Sequence, residues 1–156
     1  MLPRDNMNVP GVAHSTFVIE RSFAASPARV FATWSNPDKK RRWFACHEDW
    51  KTIDYQLDFR EGGVEINDVA DSDGTLHAFR GHYLDIVLNA RIVYVYVMYV
   101  AGERLSVSLV TVQFAAQGAK TKMTFTEQVV FLDGRGDAAE RREGTELGLA
   151  RIDALV

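Results

Sequence analysis

Residues 81–134 read GHYLDIVLNARIVYVYVMYVAGERLSVSLVTVQFAAQGAKTKMTFTEQVVFLDG. Three apolar runs dense in Val, Tyr, Phe and Thr are separated by short polar loops at 101–104 and 116–120. β-Branched and aromatic residues suit a pleated, half-buried surface, and Gly-containing loops return the chain on itself. The stretch therefore predicts consecutive antiparallel strands in a meander. The last run states its register: Met123, Phe125, Val129 and Phe131 fall on one face, Lys122, Thr124, Thr126 and Gln128 on the other. Glu127 interrupts the apolar face. Such a face must be buried against another layer. Residues 138–156 can supply it, because Thr145, Gly148, Leu149, Ile152, Leu155 and Val156 form a stripe at helical spacing, with Glu140, Glu143, Glu146 and Asp153 elsewhere. Asp137 is placed to cap this helix. Gly144 and Gly148, one turn apart, mark either close approach to the sheet or space above it. The expected class is α+β.

Size and charge narrow the rest. A chain of 156 residues is one domain by length and buries about 68–70% of its unfolded surface. A net charge of −3 offers no broad basic field for nucleic acid. A single cysteine, Cys46, excludes an internal disulfide and a cysteine-rich zinc site. The chain opens on no charged-then-apolar leader and carries no apolar run of about 20 residues, so a cytoplasmic protein without a membrane partner is expected. The stripe is still apolar at Val156, and the natural chain is expected to continue.

Ahead of the meander, residues 1–14 hold two prolines and no periodicity and are expected to form a flexible extension, leaving 15–156 as the domain. Alternation of Phe17, Ile19 and Phe23 against Thr16, Glu20 and Ser22 predicts a strand. Ser26-Pro27 and Asn36-Pro37 are successive cap-plus-proline signals, predicting a helix to Trp34 and another ending near Trp43 and Phe44. The KKRR run in the second helix (residues 39–42) reads as a solvated face rather than a DNA contact. Ile53, Tyr55, Leu57 and Phe59 alternate in a further strand, Gly62-Gly63 turns into 64–69, and DSDG (71–74) turns into 76–86. About seven strands result.

One strand, two capped short helices, six strands and a closing helix is the order of the helix-grip fold. RSFAASPARVFATWSNPDKKRRWF (21–44) resembles the opening of the SRPBCC, or START-like, superfamily, and more closely the family of the homologue of the activator of heat-shock protein 90 ATPase. Asp58, Phe59, Arg60, Gly62 and Gly63, then Gly81, Tyr83 and Ile86, then TKMTFTEQ (121–128), are similar to that family's later strands. FTEQVVFLDG followed by RREGTELGL resembles a bacterial subgroup. The resemblance spans residues 16–156. The separate N-terminal domain of the eukaryotic activator, with its Asn-rich, Trp-containing motif, has no counterpart here. The resemblance implies a curved antiparallel sheet wrapping the last helix around an internal cavity, often used for apolar small molecules, with Trp34, Trp43, Phe44 and Trp50 at one edge.

Among candidates for chemistry, Glu127 points at the concave face. It is either satisfied by Arg141, Arg142 or a neighbouring hydroxyl, or it is a polar handle for a ligand, or an acid/base group. In 105–114 two phases of alternation compete: a bulge near Leu109, or Ser106 and Ser108 facing inward with Val110. Ile92, Tyr94, Tyr96 and Met98 form a wide aromatic surface that suits core or cavity wall. His14, His47, His77 and His82 are too scattered for a metal site, and His82 reads as a surface histidine or one at the cavity mouth. Cys46 reads as a half-buried thiol. The expectation is non-enzymatic binding of an apolar or amphipathic small molecule by Trp43, Phe44, Tyr94, Tyr96, Met98, Val112, Phe125, Leu149 and Ile152, oriented by Glu127, with no cofactor, metal or catalytic residue. Rival readings are a protein-interaction role (a homodimer, a chaperone or a client protein) and an enzyme of cyclase or hydrolase type.

Overall fold

The computed structural model describes residues 5, 11–45 and 49–156. The strands are β1 (Ala13–Phe23), β2 (Lys51–Leu57), β3 (Val64–Ala70), β4 (Leu76–Val87), β5 (Arg91–Val100), β6 (Glu103–Gln117) and β7 (Lys120–Phe131). The helices are α1 (Pro27–Ser35), α2 (Pro37–Phe44) and α3 (Ala138–Ala150). All seven strands form one curved antiparallel sheet in the order β1-β7-β6-β5-β4-β3-β2. The meander is thus β4 to β7, and β1 closes it by pairing along β7 from Ala13 opposite Phe131 to Phe23 opposite Thr121. This is the helix-grip α+β fold.

The caps work as the sequence implies. Ser26 Oγ accepts from the Arg29 amide, Asn36 Oδ1 from Asp38 and Lys39, and Asp137 Oδ1 from Ala139. The Trp43 indole donates to the Thr33 carbonyl at 2.8 Å and ties the two short helices together. Val30, Phe31 and Trp34 bury against Phe114, Phe125 and Phe59, and this aromatic cluster is the core at the α1 end of the sheet.

Several boundaries differ from expectation. The closing helix is α-helical only to Ala150 and tightens to a 3-10 turn over Arg151–Leu155. β1 begins at Ala13, with His14 already opposite Val130. In β2 a register shift between Thr52 and Asp54 turns Ile53 outward, 55% exposed, while Tyr55 and Leu57 stay half-buried. β6 keeps one phase: Ser106, Ser108, Val110, Val112 and Phe114 face inward, Val107 and Leu109 outward, and the irregularity lies near its start, opposite Met98/Tyr99. Gly81 is required by close approach, since a Cβ there would lie 2.7 Å from the Phe79 ring.

Candidate functional site

Between the concave face and α3 lies a cavity of about 440 Å³. Its walls are aromatic. Phe79 stacks on Tyr96 at 4.6 Å, Phe44 meets Phe79 edge-on at 4.9 Å, and Trp34 meets Trp43 at 4.7 Å. Inward strand positions supply Tyr94, Tyr96, Met98, Phe125 and Phe131, the short helices supply Trp34, Trp43 and Phe44, and α3 supplies Arg141, Gly144, Thr145, Gly148 and Leu149. Of the expected lining residues, Trp43, Phe44, Tyr94, Tyr96, Met98, Phe125, Glu127 and Leu149 border this space. Val112 and Ile152 do not. Both are fully buried in the core: Val112 sits beside Phe125 and Ile92 toward the α1 end, and Ile152 falls in the 3-10 turn after the helix changes pitch.

Glu127 is buried, and its Oε2 accepts from Tyr96 (2.7 Å), Ser108 (2.8 Å) and Arg141 (3.0 Å). Arg141 also donates to the Tyr96 oxygen at 2.8 Å and, through Nη2, to Ser106 at 2.8 Å. Arg141 is thus the partner, and Arg142 instead bonds Glu146 and the Val18 carbonyl outside. Charges are paired and hydrogen bonds made within this cluster, which offsets the cost of burying the carboxylate. It pins the first turn of α3 to β5, β6 and β7.

A second buried acid escaped the sequence reading. Glu65 on β3 is 1% exposed and receives Lys40 Nζ at 3.0 Å on both oxygens, the Tyr55 hydroxyl at 2.6 Å and the Tyr83 hydroxyl at 2.8 Å. Lys40 is likewise 1% exposed, with its ammonium 5.1, 5.2 and 4.3 Å from the Trp34, Trp43 and Phe44 rings. The KKRR run is therefore not uniformly solvated: Arg41 and Arg42 face water and Lys40 does not. Burial pushes the Lys40 pKa down, opposed by Glu65. Burial first, then a neighbouring acid or tyrosine, holds the hydroxyls of Tyr55, Tyr83, Tyr94 and Tyr96 above the usual tyrosine range.

Further along the wall, His77 on β4 faces inward, its Nε2 3.0 Å from Asp71 Oδ2 and its ring 4.5 Å from that of Trp50. His82, one strand face removed, is exposed on the outside. Asn67 on β3 lines the cavity, is 7% exposed, and its carboxamide oxygen meets no hydrogen-bond partner among the described residues. Cys46 and His47 lie outside the described residues. Among the described residues no group of three or more His, Cys, Asp or Glu could hold a metal ion, and no helix is long and apolar enough to cross a membrane.

Neither glycine of α3 has sheet atoms within 4 Å of a built Cβ: at Gly148 it would rest at ordinary contact distance, 3.7 Å, from the Trp43 carbonyl on α2, and at Gly144 it meets nothing within 4 Å. Gly144→Ala is therefore expected to raise stability by about 0.5–1 kcal/mol, the helix-propensity difference, in a denaturant titration.

Solved structures similar to this chain include an uncharacterised protein of Rhizobium leguminosarum, 55% identical over 93% of this chain and 95% of that one, with a TM-score of 0.89. A protein of Rhizobium loti is 35% identical over 94% and 100%, with a TM-score of 0.88. An AHSA1-like protein of Aeromonas hydrophila, 24% identical over 91% and 92% with a TM-score of 0.70, shares the fold. No protein of curated function matches. Residues 24–156 match the family described as Activator of Hsp90 ATPase homolog 1-like protein, and this chain belongs to that family.

Proposed function

We propose that the domain takes up an apolar or amphipathic small molecule between the sheet and α3 and performs no chemistry on it. The observation that carries this reading is the cavity of about 440 Å³, walled by aromatic rings and bordered by polar groups that largely satisfy one another. Small-molecule sites commonly span about 300–1,000 Å³ and are largely apolar with few polar groups. Glu127, the buried acid bordering the cavity, already accepts three hydrogen bonds on one oxygen and balances Arg141, which suits a fixed wall better than a proton shuttle.

The test is uptake of the neutral dye Nile red, together with native mass spectrometry of freshly purified protein. Expected are saturable dye binding and a species heavier than the 17.5 kDa chain. Both should be lost in Gly144→Leu, whose side chain grows into open space. Absence of dye uptake and of any added mass in the unsubstituted protein would end the reading.

A further inference from the structure

Asn67 borders the cavity, and its carboxamide oxygen is itself buried with no hydrogen-bond partner among the described residues. Its neighbours along the wall are Phe79, directly opposite on β4, and Glu65 two residues earlier, whose oxygens are taken by Lys40 and two tyrosines. A buried amide oxygen without a donor is costly, whereas the same oxygen given a donor is nearly neutral or better. The outer torsion of an asparagine is broad and two-fold, so the amide can turn its oxygen toward a ligand.

The charges around the cavity narrow the ligand further. Glu127, Asp137 and Glu140 stand against Arg141 and Arg151. Arg141 is already matched by Glu127, Tyr96 and the serines, Arg151 donates to the Trp43 carbonyl, and three carboxylates face these two guanidiniums, so an anionic headgroup would find no net attraction. A cation would find the faces of Trp34, Trp43 and Phe44 already occupied by the Lys40 ammonium. The volume is about three times that of a dry cavity of roughly 150 Å³ that holds one benzene.

We infer that the ligand is an uncharged, largely apolar molecule that donates a hydroxyl or amide N–H hydrogen bond to the Asn67 carboxamide. This deepens the proposed function and rests on it: the cavity must first be a binding site at all.

The probes are 2-naphthol, 2-methoxynaphthalene and 2-naphthoate, titrated calorimetrically into the full chain and into Asn67→Leu at neutral pH. They share one apolar body and differ in donor and charge. In the unsubstituted protein 2-naphthol should bind about five- to tenfold more tightly than the methoxy compound, the usual worth of one net hydrogen bond, and 2-naphthoate should bind most weakly. Asn67→Leu should erase the preference for 2-naphthol and leave the methoxy compound within about twofold. Because the probe comparison within the unsubstituted protein stands alone, a poorly folded variant does not shield the inference, and Asn67→Val gives a second substitution. If all three bind alike, and Gly144→Leu abolishes them, the cavity reading survives and this inference fails. If 2-naphthoate binds best, this inference fails. If none of the three binds while Nile red does, this inference alone fails; if Nile red and added mass are absent too, both fail.

Discussion

Glu65→Leu is expected to destabilise the protein by about 3–5 kcal/mol at neutral pH, measured by denaturant unfolding, because it leaves the Lys40 ammonium buried without its counter-charge. Both side chains are 1% exposed, so water cannot screen the loss. An independent bound agrees. A buried lysine that loses its partner sheds its proton, and at pH 7 this costs about 4–5 kcal/mol, given an ordinary value near 10.4 and about 1.36 kcal/mol per unit. The three aromatic rings around Nζ favour the protonated form and hold the cost below that bound. The sign with pH follows. Lys40 is already below its ordinary value in the folded protein, and without Glu65 it falls further. Between that lowered value and about 10.4 the unfolded chain binds the extra proton, so stability rises with pH. The penalty of Glu65→Leu should therefore shrink steadily as pH is raised from 7 toward 10. Adding Lys40→Met to Glu65→Leu should recover most of the loss and abolish that slope, since the hydroxyls of Tyr55 and Tyr83 are equally unmatched in both variants. A penalty that neither varies with pH nor responds to Lys40→Met would show that packing, rather than charge, is what Glu65 supplies.

Above pH 10 the protein is expected to unfold cooperatively. Tyr55, Tyr83, Tyr94 and Tyr96 are all held protonated beyond the usual tyrosine range, by burial first and by Glu65, Glu127 or a neighbouring tyrosine next. A raised folded-state value gives stability that is fully present below the unfolded value, near 10, and is lost as pH climbs past it, because the unfolded chain releases protons that the folded one retains. Four such groups give a limiting slope of about 5 kcal/mol per pH unit, at about 1.36 each. A total stability of about 5–15 kcal/mol would be consumed within a few units. Circular dichroism and tyrosinate absorbance should change together in one transition. Tyrosinate appearing near pH 10 with four or more groups titrating and the fold intact would contradict the buried placement of these rings. Tyr94→Phe should make the fall in stability shallower by about a quarter, since burial is the first cause of its shift and no hydrogen bond to its hydroxyl is part of either acid cluster.

What could be read from the residues was whatever alternation or capping encodes locally. Strict parity in β7 placed Glu127 inward, and Arg141 was one of two cations near enough in sequence to the helix start to answer it. Lys40 was hidden by its neighbours: in the KKRR run, composition suggests water, whereas spacing puts Lys40 three and four residues before Trp43 and Phe44, on the face of a two-turn helix that looks inward. β3 misleads for a related reason. Val64 and Ile66 are only half-buried while Glu65 and Asn67 point to the interior, the reverse of what hydropathy suggests, because the partners that make this tolerable come from α2, β2 and β4. In β3 the buried acid is made tolerable by neighbours from other elements, whereas in β7 the strand's own strict alternation already turns Glu127 inward. Val112 and Ile152 illustrate the converse: parity and stripe correctly turn them inward, but not whether the space in front of them is filled.

The pairing of β1 with β7 joins segments roughly a hundred residues apart, whereas β4 to β7 are linked by short loops. Local hairpins close quickly and distant partners pay a larger loop entropy. During folding the meander would thus form while the outer backbone edge of β7 still lacks its neighbour. Until β1 arrives, that edge is a row of unmatched amides and carbonyls beside Val129 and Phe131, and a nascent chain is most open to associating with its own copies during that interval.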